Sequence, residues 1–200
     1  NVIAVGVKDS SLYQLKNFTA YQQLTRDIKK IPGVKEAISL PVLPIILKDT
    51  ANTKFFSKRI FPDTITSQAE LDSLLAVAVD QKIYSHLLLN LKNGAVMMAV
   101  SVPKEVMNSS KREAVVQALQ NAGKEFQEKT NIEVHYAGLP FIRTLVANAV
   151  RKEMQIFLYG SALITGLIMF AFFRSFKAVL ISMIIIGIVD VWTLGTLALL

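Results

Sequence analysis

The sequence contains no cysteine, and this absence removes several kinds of chemistry at once. Disulfide bonds, thiolate zinc sites and cysteine nucleophiles all need the missing sulfur atom. Histidine is almost as scarce, with only His86 and His135 in the 200 residues. Strand alternation places His135 with Glu133 on the face opposite Ile132 and Val134, where solvent exposure is its ordinary explanation. We therefore predict no metal site and no cofactor.

Catalytic motifs are missing as well. The chain has no glycine-rich phosphate loop and no paired-histidine zinc motif, and no serine stands at a recognisable spacing from a base. The formal net charge is +7, yet the 22 lysines and arginines are spread among 15 acidic residues and never form a run of five. A basic run, or basic residues interleaved with exposed aromatics, would be typical of nucleic-acid binding. We predict neither an enzyme nor a nucleic-acid-binding protein.

Charge is nearly absent from the last 47 residues, which contain two apolar runs. Residues 154–173 carry no charge, and residues 178–200 carry one, Asp190. Each run has the roughly 20 residues that a helix needs to cross a hydrocarbon core about 30 Å thick. Residues 174–177 between them are enough only for a tight turn. The sequence therefore predicts a transmembrane helical hairpin, with the lipid bilayer as its first partner.

Basic residues in the turn predict how the hairpin is oriented. Short loops that carry lysine and arginine stay in the cytoplasm, and basic and aromatic side chains anchor helix ends at the membrane interface. Arg174 and Lys177 are accordingly predicted as interface anchors on the cytoplasmic side. Arg151 and Lys152 argue weakly for the opposite orientation, but a long flanking domain crosses largely regardless of its charge. We predict a multi-pass protein of a bacterial inner membrane, with residues 1–153 outside the cytoplasm.

Before the apolar runs, residues 1–138 show the patterns of an α+β domain. β-Branched residues predict a strand at 2–7. Apolar residues spaced by three and four then predict a helix that Pro32 and Gly33 end, before a second strand at 34–40. The apolar face of this helix consists of Leu12, Leu15, Phe18, Tyr21, Leu24, Ile28 and Ile31.

Aspartate and serine residues predict where the helices of this domain begin. Asp9 offers an N-cap oxygen at the start of the first helix. Ser67 is followed three residues later by Glu70, and Ser110 by Glu113, which is the capping-box pattern. The two boxes predict two further helices.

Residues 95–137 repeat the first pattern. A strand at 95–102, a helix at 109–129 and a strand at 132–137 form a second β-α-β unit. Two such units predict a ferredoxin-like β-α-β-β-α-β sandwich, in which one sheet packs on two helices. Gly138 and the proline that follows at position 140 then turn the chain into the helix that enters the membrane.

Residues 41–92 separate the two units and are predicted as an insertion. Pro41, Pro44 and Pro62 break any long element, so its first part is interpreted as a surface loop or short hairpin. A capped helix and one extra strand follow, and Asn93-Gly94 predicts a tight hairpin turn between the runs 83–91 and 95–102. The predicted boundaries are 1–138 for the α+β domain, 139–153 for a connecting helix, 154–173 and 178–200 for the transmembrane helices and 174–177 for the turn.

Asp190 stands inside the second apolar run, where an ionisable group costs about 2.5–3.5 kcal/mol on insertion scales. It shares a predicted helix face with Gly187 and Thr193, small residues that are typical of helix contacts in membranes. One hypothesis gives Asp190 a role in proton or ion coupling. The other makes it a buried hydrogen-bonding residue that fixes helix packing. Full retention of transport by Asp190→Asn would contradict the first hypothesis.

The order of several short motifs resembles one family of transporters. The motifs are Ile31-Pro32-Gly33-Val34, Gly138-Leu139-Pro140, Phe172-Phe173-Arg174-Ser175-Phe176-Lys177 and Trp192-Thr193-Leu194-Gly195. With the predicted domain between them, nearly the whole chain resembles the porter domain and the second and third transmembrane helices of a resistance–nodulation–division (RND) exporter. The MMPL branch of lipid and hydrophobe exporters is the most similar.

The resemblance implies a larger protein with two related halves, of which the chain, starting without methionine and stopping inside an apolar run, is expected to be a piece. It implies export of hydrophobic or amphipathic molecules driven by proton entry. Its partners would be the substrate and the second half of the polypeptide, with homo-oligomers left open. The domain cleft would be lined by apolar residues such as Phe55, Phe56 and Met97. The acidic proton-relay residues of the family lie on its fourth and tenth helices, so Asp190 on the third helix is not assigned that role.

Three alternatives remain at the level of the sequence, and the third of them, a membrane enzyme, is disfavoured by the missing catalytic motifs. The chain could belong to the permease of an ATP-driven exporter, which would need an ATPase elsewhere. It could also be a membrane-anchored sensor or scaffold, whose outer domain binds a partner. An acidic residue and glycines within the second apolar run argue mildly against simple anchoring.

Overall fold

The computed structural model of the chain describes two compact units, Asn1–Leu145 and Val146–Leu200. The residues described are 1–49, 54–81, 88–90 and 94–199, with the backbone alone for 46–49, 54–57 and 198–199.

The described part of the first unit consists of short strands and four helices. The strands are β1 (Val2–Lys8), β2 (Glu36–Ile38), β3 (Pro44–Asp49), β4 (Lys54–Arg59), β5 (Leu89–Asn90), β6 (Ala95–Ser101) and β7 (Val134–Ala137). The helices are α1 (Leu15–Lys30), α2 (Gln68–Asp80), α3 (Lys104–Met107) and α4 (Lys111–Thr130), with 3-10 helices at Ser10–Tyr13 and Leu40–Val42. Two longer helices follow, α5 (Leu139–Phe173) and α6 (Phe176–Leu199).

The main sheet is antiparallel throughout, with its strands in the order β2-β6-β1-β7. Val5 of β1 pairs with Met98 of β6 on one side and with Tyr136 of β7 on the other. Because β1 occupies one edge of β6, β2 and the short β5 share the opposite edge. The predicted α+β class with an antiparallel sheet followed by two apolar helices is confirmed.

One face of this sheet forms the core. Alternate residues of β1 and β6 are buried, as period-two alternation requires. The helices α1 and α4 supply the opposing side chains, and the predicted apolar face of α1 is confirmed at its four central positions. The core of the sheet and these two helices contains Ile3, Val5, Val7, Phe18, Tyr21, Leu24, Ile28, Val96, Met98, Val100, Val115, Val116, Leu119 and Phe126.

Two side chains fix the beginning of α1. The Oδ1 atom of Asp9 accepts a hydrogen bond from the Ser11 amide at 2.7 Å, so the predicted cap is confirmed, although it begins a 3-10 helix. The Gln68 side chain then bridges the chain just beyond it. Its Oε1 atom accepts from the Leu15 amide at 2.8 Å, and its Nε2 atom donates to the Tyr13 carbonyl at 2.9 Å. The first turn of α2 is thereby tied to the first turn of α1.

The two predicted capping boxes have different outcomes. Ser67 accepts a hydrogen bond from the Glu70 amide at 3.2 Å, which confirms the start of α2. The prediction at Ser110 is wrong, because its φ of −60° and ψ of −21° are helical and its side chain makes no cap hydrogen bond. Because α3 ends just before Ser110, the backbone at this residue is already helical. Ser109 acts instead, with its Oγ atom accepting from the Lys111 amide at 3.3 Å.

The insertion contains more strands than the one predicted. β3 and β4 pair as a separate antiparallel sheet, so the hairpin alternative to a loop is confirmed, and β5 adds to the main sheet. The strand predicted at 34–40 is shorter, because Pro41 lies in the 3-10 helix that follows β2. Gly94 has the positive φ of +67° expected for the predicted turn. Asn93 and most of the strand predicted at 83–91 lie outside the described residues.

Candidate functional site

Asp190 lies on the exposed surface of α6, one of two helices long and apolar enough to cross a membrane. Neither a hydrogen bond nor an ion pair to Asp190 is present among the described residues. Thr193, one turn further on, donates its hydroxyl to the Val189 carbonyl at 2.8 Å and keeps the oxygen free to accept. A Cβ atom on Gly187 would meet no atom within 4 Å. The structure thus places the three predicted residues on one uncovered stretch of helix.

A groove lies beside this stretch, between α5 and α6. The helices pack together near the turn, where Val179 is buried and Met169 and Met183 are half-buried. Residues 149–160 and 184–197 are all exposed, and a groove of about 1000 Å³ separates them. Its lining consists of Ala147, Val150, Arg151, Glu153, Met154, Gln155, Phe157, Leu158, Asp190, Thr193 and Leu194. No pattern in the sequence predicts the groove, because helical periodicity does not specify the angle between two helices.

The turn between the helices carries the predicted anchors. Arg174 has a φ of +47°, and its amide donates to the Phe170 carbonyl at 2.9 Å. This left-handed residue closes α5, as a residue at the position after a helix commonly does. The Ser175 carbonyl accepts from the Val179 amide at 3.2 Å and begins α6. Arg174 and Lys177 are both exposed, and their role as interface anchors remains a prediction.

In the described part of the chain, the other face of the main sheet is half-exposed and mostly apolar. A groove of about 330 Å³ lies on this face; its lining is mostly apolar, with Met97 among it, and includes the polar residues Asn90 and His135. A solvated face of an antiparallel sheet ordinarily carries polar side chains. The sequence contains a signal for this face, since small residues alternate with the buried ones along β1 and β6. The side chains of the other predicted cleft residues, at positions 55 and 56, lie outside the described part.

Histidine does not assemble a metal site in the described part of the chain. His135 is exposed on β7, with its Nε2 atom 4.0 Å from Glu133, on the face opposite the buried Val134 as predicted. His86 lies outside the described residues. No group of three or more potential ligands is present among those residues.

The passage from the sheet into α5 is tightly packed. Tyr136 donates its hydroxyl to the Leu119 carbonyl at 3.1 Å, and its ring stacks on Phe141 at 5.0 Å between centroids. Burial raises the pKa of Tyr136 to about 12. Gly138 has a φ of +118°, and a Cβ atom there would lie 2.8 Å from the Val2 carbonyl oxygen. The predicted start of the helix after Gly138 is confirmed.

An α+β unit with an open apolar sheet face, joined in sequence to two long apolar helices, is the organisation of a membrane protein with a folded domain. The MMPL family profile matches residues 1–200, and the chain belongs to the MMPL family. This match confirms the resemblance to RND-type exporters and the assignment to membrane transport. A search among curated proteins found no significant match to the chain.

Proposed function

We propose that this chain forms the outer porter domain and two transmembrane helices of a proton-driven exporter of lipids or other hydrophobic or amphipathic compounds. The MMPL match over residues 1–200 is the observation that carries the transport function. The open apolar face of the main sheet supports an apolar substrate. Proton coupling is supported by the resemblance to RND exporters, and Asp190 is assigned to coupling or to helix packing.

The strand order supports a ferredoxin-like porter domain over residues 1–138. The helix α1 connects β1 to β2 with β6 between them, and α4 connects β6 to β7 with β1 between them. Two interleaved crossovers of this kind are the split β-α-β arrangement. In this proposal residues 41–92 are an insertion, and residues 139–153 connect the domain to the spanning segments 154–173 and 178–200.

The proposed orientation places the turn at 174–177 in the cytoplasm and residues 1–153 outside. The exposed Arg174 and Lys177 support it, because short basic loops are retained on the cytoplasmic side. Single-cysteine variants can test the orientation, since the chain has no cysteine of its own. An impermeant maleimide added to intact spheroplasts should label Lys124→Cys and leave Lys177→Cys unmodified until the membrane is opened. The reverse pattern would contradict the orientation.

Efflux of a lipophilic dye tests the transport function. Cells that express the complete protein should lose the dye faster than cells with an empty vector, and a protonophore should abolish the difference. Efflux that survives the protonophore but stops on ATP depletion would favour an ATP-driven permease. Absence of efflux for lipophilic dyes and for labelled phospholipids alike would contradict the exporter and favour a sensor or scaffold.

A further inference from the structure

The groove between α5 and α6 combines apolar walls with a single acidic group within the apolar run. Met154, Phe157 and Leu158 contribute one wall, and Leu194 contributes the other. Arg151 and Glu153 lie at the far rim, beyond the end of the uncharged run. A groove of about 1000 Å³ is large enough for a small organic ligand, since such sites commonly measure about 300–1,000 Å³.

The depth of Asp190 makes its lack of a partner costly. At about 1.5 Å per residue, Asp190 lies about 21 Å along α6 from its first residue, Phe176. A hydrocarbon core about 30 Å thick therefore still surrounds the carboxylate. Ionised groups at such depths pair with one another or with polar backbone groups. Because the described residues give Asp190 no such partner, a cation that enters the groove would supply it.

The groove walls indicate what kind of molecule carries this cation. An inorganic cation would pair with the carboxylate but would not itself cover Met154, Phe157 and Leu158. A molecule with both a positive head and a hydrocarbon part would satisfy the carboxylate and cover these side chains together. Phe157 adds an aromatic face, to which ammonium groups are attracted.

We propose that the groove between α5 and α6 binds an amphiphile with a cationic head group. The positive head pairs with the Asp190 carboxylate, and the hydrocarbon part lies against Met154, Phe157 and Leu158. The Thr193 hydroxyl oxygen, one turn from Asp190, adds a partial negative charge on the same helix face. The biological role of this site rests on the exporter function proposed above, because the cationic amphiphile would be one class of exported substrate. Binding itself can be measured without transport.

Equilibrium binding to the complete protein in phosphatidylcholine nanodiscs tests this assignment. The probe is radiolabelled dodecyltrimethylammonium, with labelled dodecanol as the matched neutral ligand and empty nanodiscs as the blank. We expect saturable binding of the cationic probe, weakened about tenfold or more by Asp190→Asn, the change that a lost charge pair of about 1.4 kcal/mol produces. Asp190→Glu should retain affinity within about threefold of the wild type. Dodecanol binding should not respond to either substitution.

Two further variants separate loss of the site from loss of folding. Leu194→Trp keeps the carboxylate but fills the groove, and it should also weaken binding of the cationic probe. Asp80→Asn removes an exposed carboxylate at the end of α2, outside the two apolar helices, and should leave binding unchanged. If Asp190→Asn does not fold, Leu194→Trp decides the question.

Two results would overturn the proposal. One is equal affinity of the wild type and Asp190→Asn for the cationic probe. The other is a wild-type protein that exports dye but shows no saturable binding, since another membrane helix would then fill the groove and pair with Asp190. Binding that depends on Asp190 without any efflux would instead contradict the exporter and leave the site intact. The two proposals can therefore fail separately.

Discussion

Three of the five glycines in the first unit are crowded by neighbouring atoms, whereas none of the four glycines in the second unit is. In Asn1–Leu145, a Cβ atom added to Gly33, Gly123 or Gly138 would meet a neighbour at 3.0 Å or less. In Val146–Leu200, a Cβ atom added to any of the four glycines would meet nothing within 4 Å. The first unit is thus determined by its own contacts. The exposed residues of the second unit have no such contacts within the two helices. In a membrane transporter, such residues contact lipid and other helices.

The largest effect is expected at Gly138, where this contrast is sharpest. Gly138→Ala combines a left-handed φ of +118° with a contact to the Val2 carbonyl oxygen at 2.8 Å, and neither can be relieved by a side-chain rotation. We expect a loss of about 3 kcal/mol or more in the stability of the domain. Hydrogen exchange of the β1 and β7 amides measures it. Gly94→Ala, with a φ of +67° and an open surrounding, is the matched control and should cost only about 1–2 kcal/mol. Equal losses in the two variants would show that crowding at Gly138 is unimportant.

Gly123→Ala should come next. The added methyl group would overlap the Tyr136 hydroxyl, so the ring would have to leave its hydrogen bond to Leu119 and its stack on Phe141. We expect a loss of about 2 kcal/mol, measured by thermal unfolding. Tyr136→Phe removes the overlapping oxygen and should restore part of this loss in the double variant. A double variant as unstable as the sum of the single changes would contradict the steric explanation.

In the second unit the expected effect appears in transport and not in folding. Gly187→Leu places a large side chain next to Asp190 on the face assigned to helix packing or to ligand binding. Transport should fall about tenfold, which corresponds to about 1.4 kcal/mol, while the helix content by circular dichroism stays unchanged. Gly195→Leu, on another side of α6, is the control and should transport almost normally. Equal transport by the two variants would contradict the prediction that the helix face with Asp190 matters more for transport than the side with Gly195.

The pKa of Tyr136 predicts a smaller effect, seen only at high pH. Burial raises its pKa in the folded protein to about 12 from the ordinary 10.0. A raised pKa means that the folded state favours the neutral phenol. The associated stability is therefore complete below pH 10 and is lost as the pH rises towards 12. Unfolding followed at several pH values should show this decline, and Tyr136→Phe should reduce it. A decline that is identical in the variant would assign it to other groups.

The smallest effect is expected at Tyr21, inside the core. Its ring is fully buried and lies edge-on to Phe126 at 6.1 Å between centroids, but its hydroxyl finds no hydrogen-bond partner among the described residues. An unsatisfied buried hydroxyl costs about 1–3 kcal/mol. Tyr21→Phe should therefore leave the stability unchanged or raise it by up to about 1 kcal/mol. Loss of more than this amount, measured by thermal unfolding, would show that a water or another group satisfies the hydroxyl.

Local patterns in the sequence predicted the parts of the fold that depend on neighbouring residues. The apolar face of α1 and the glycine turn at Gly138 follow from spacing and backbone freedom, so both could be predicted. The position of β6 between β1 and β2 depends on pairing over long distances in the chain. The wrong prediction at Ser110 has a local cause, because α3 lies just before this residue and already sets a helical backbone conformation there.

In the candidate site, too, local features could be predicted from the sequence and features that depend on the packing of two elements could not. Asp190, Gly187 and Thr193 could be placed on one helix face, because the helical period is local. The groove beside them depends on the angle between α5 and α6, which no pattern within either helix contains. The open sheet face could have been predicted from the alternation of Ala4 and Gly6 with buried residues in β1.

The shortness of the outer strands affects how easily copies of this domain associate through their sheet edges before they are assembled. The sheet ends in β2, with three residues, and in β7, with four, and Pro41 and Gly138 follow them closely. Unpaired strand edges recruit strands from other chains, and the risk grows with their length. The short edges of β2 and β7 therefore limit edge-to-edge pairing of the main sheet between newly made copies of the domain.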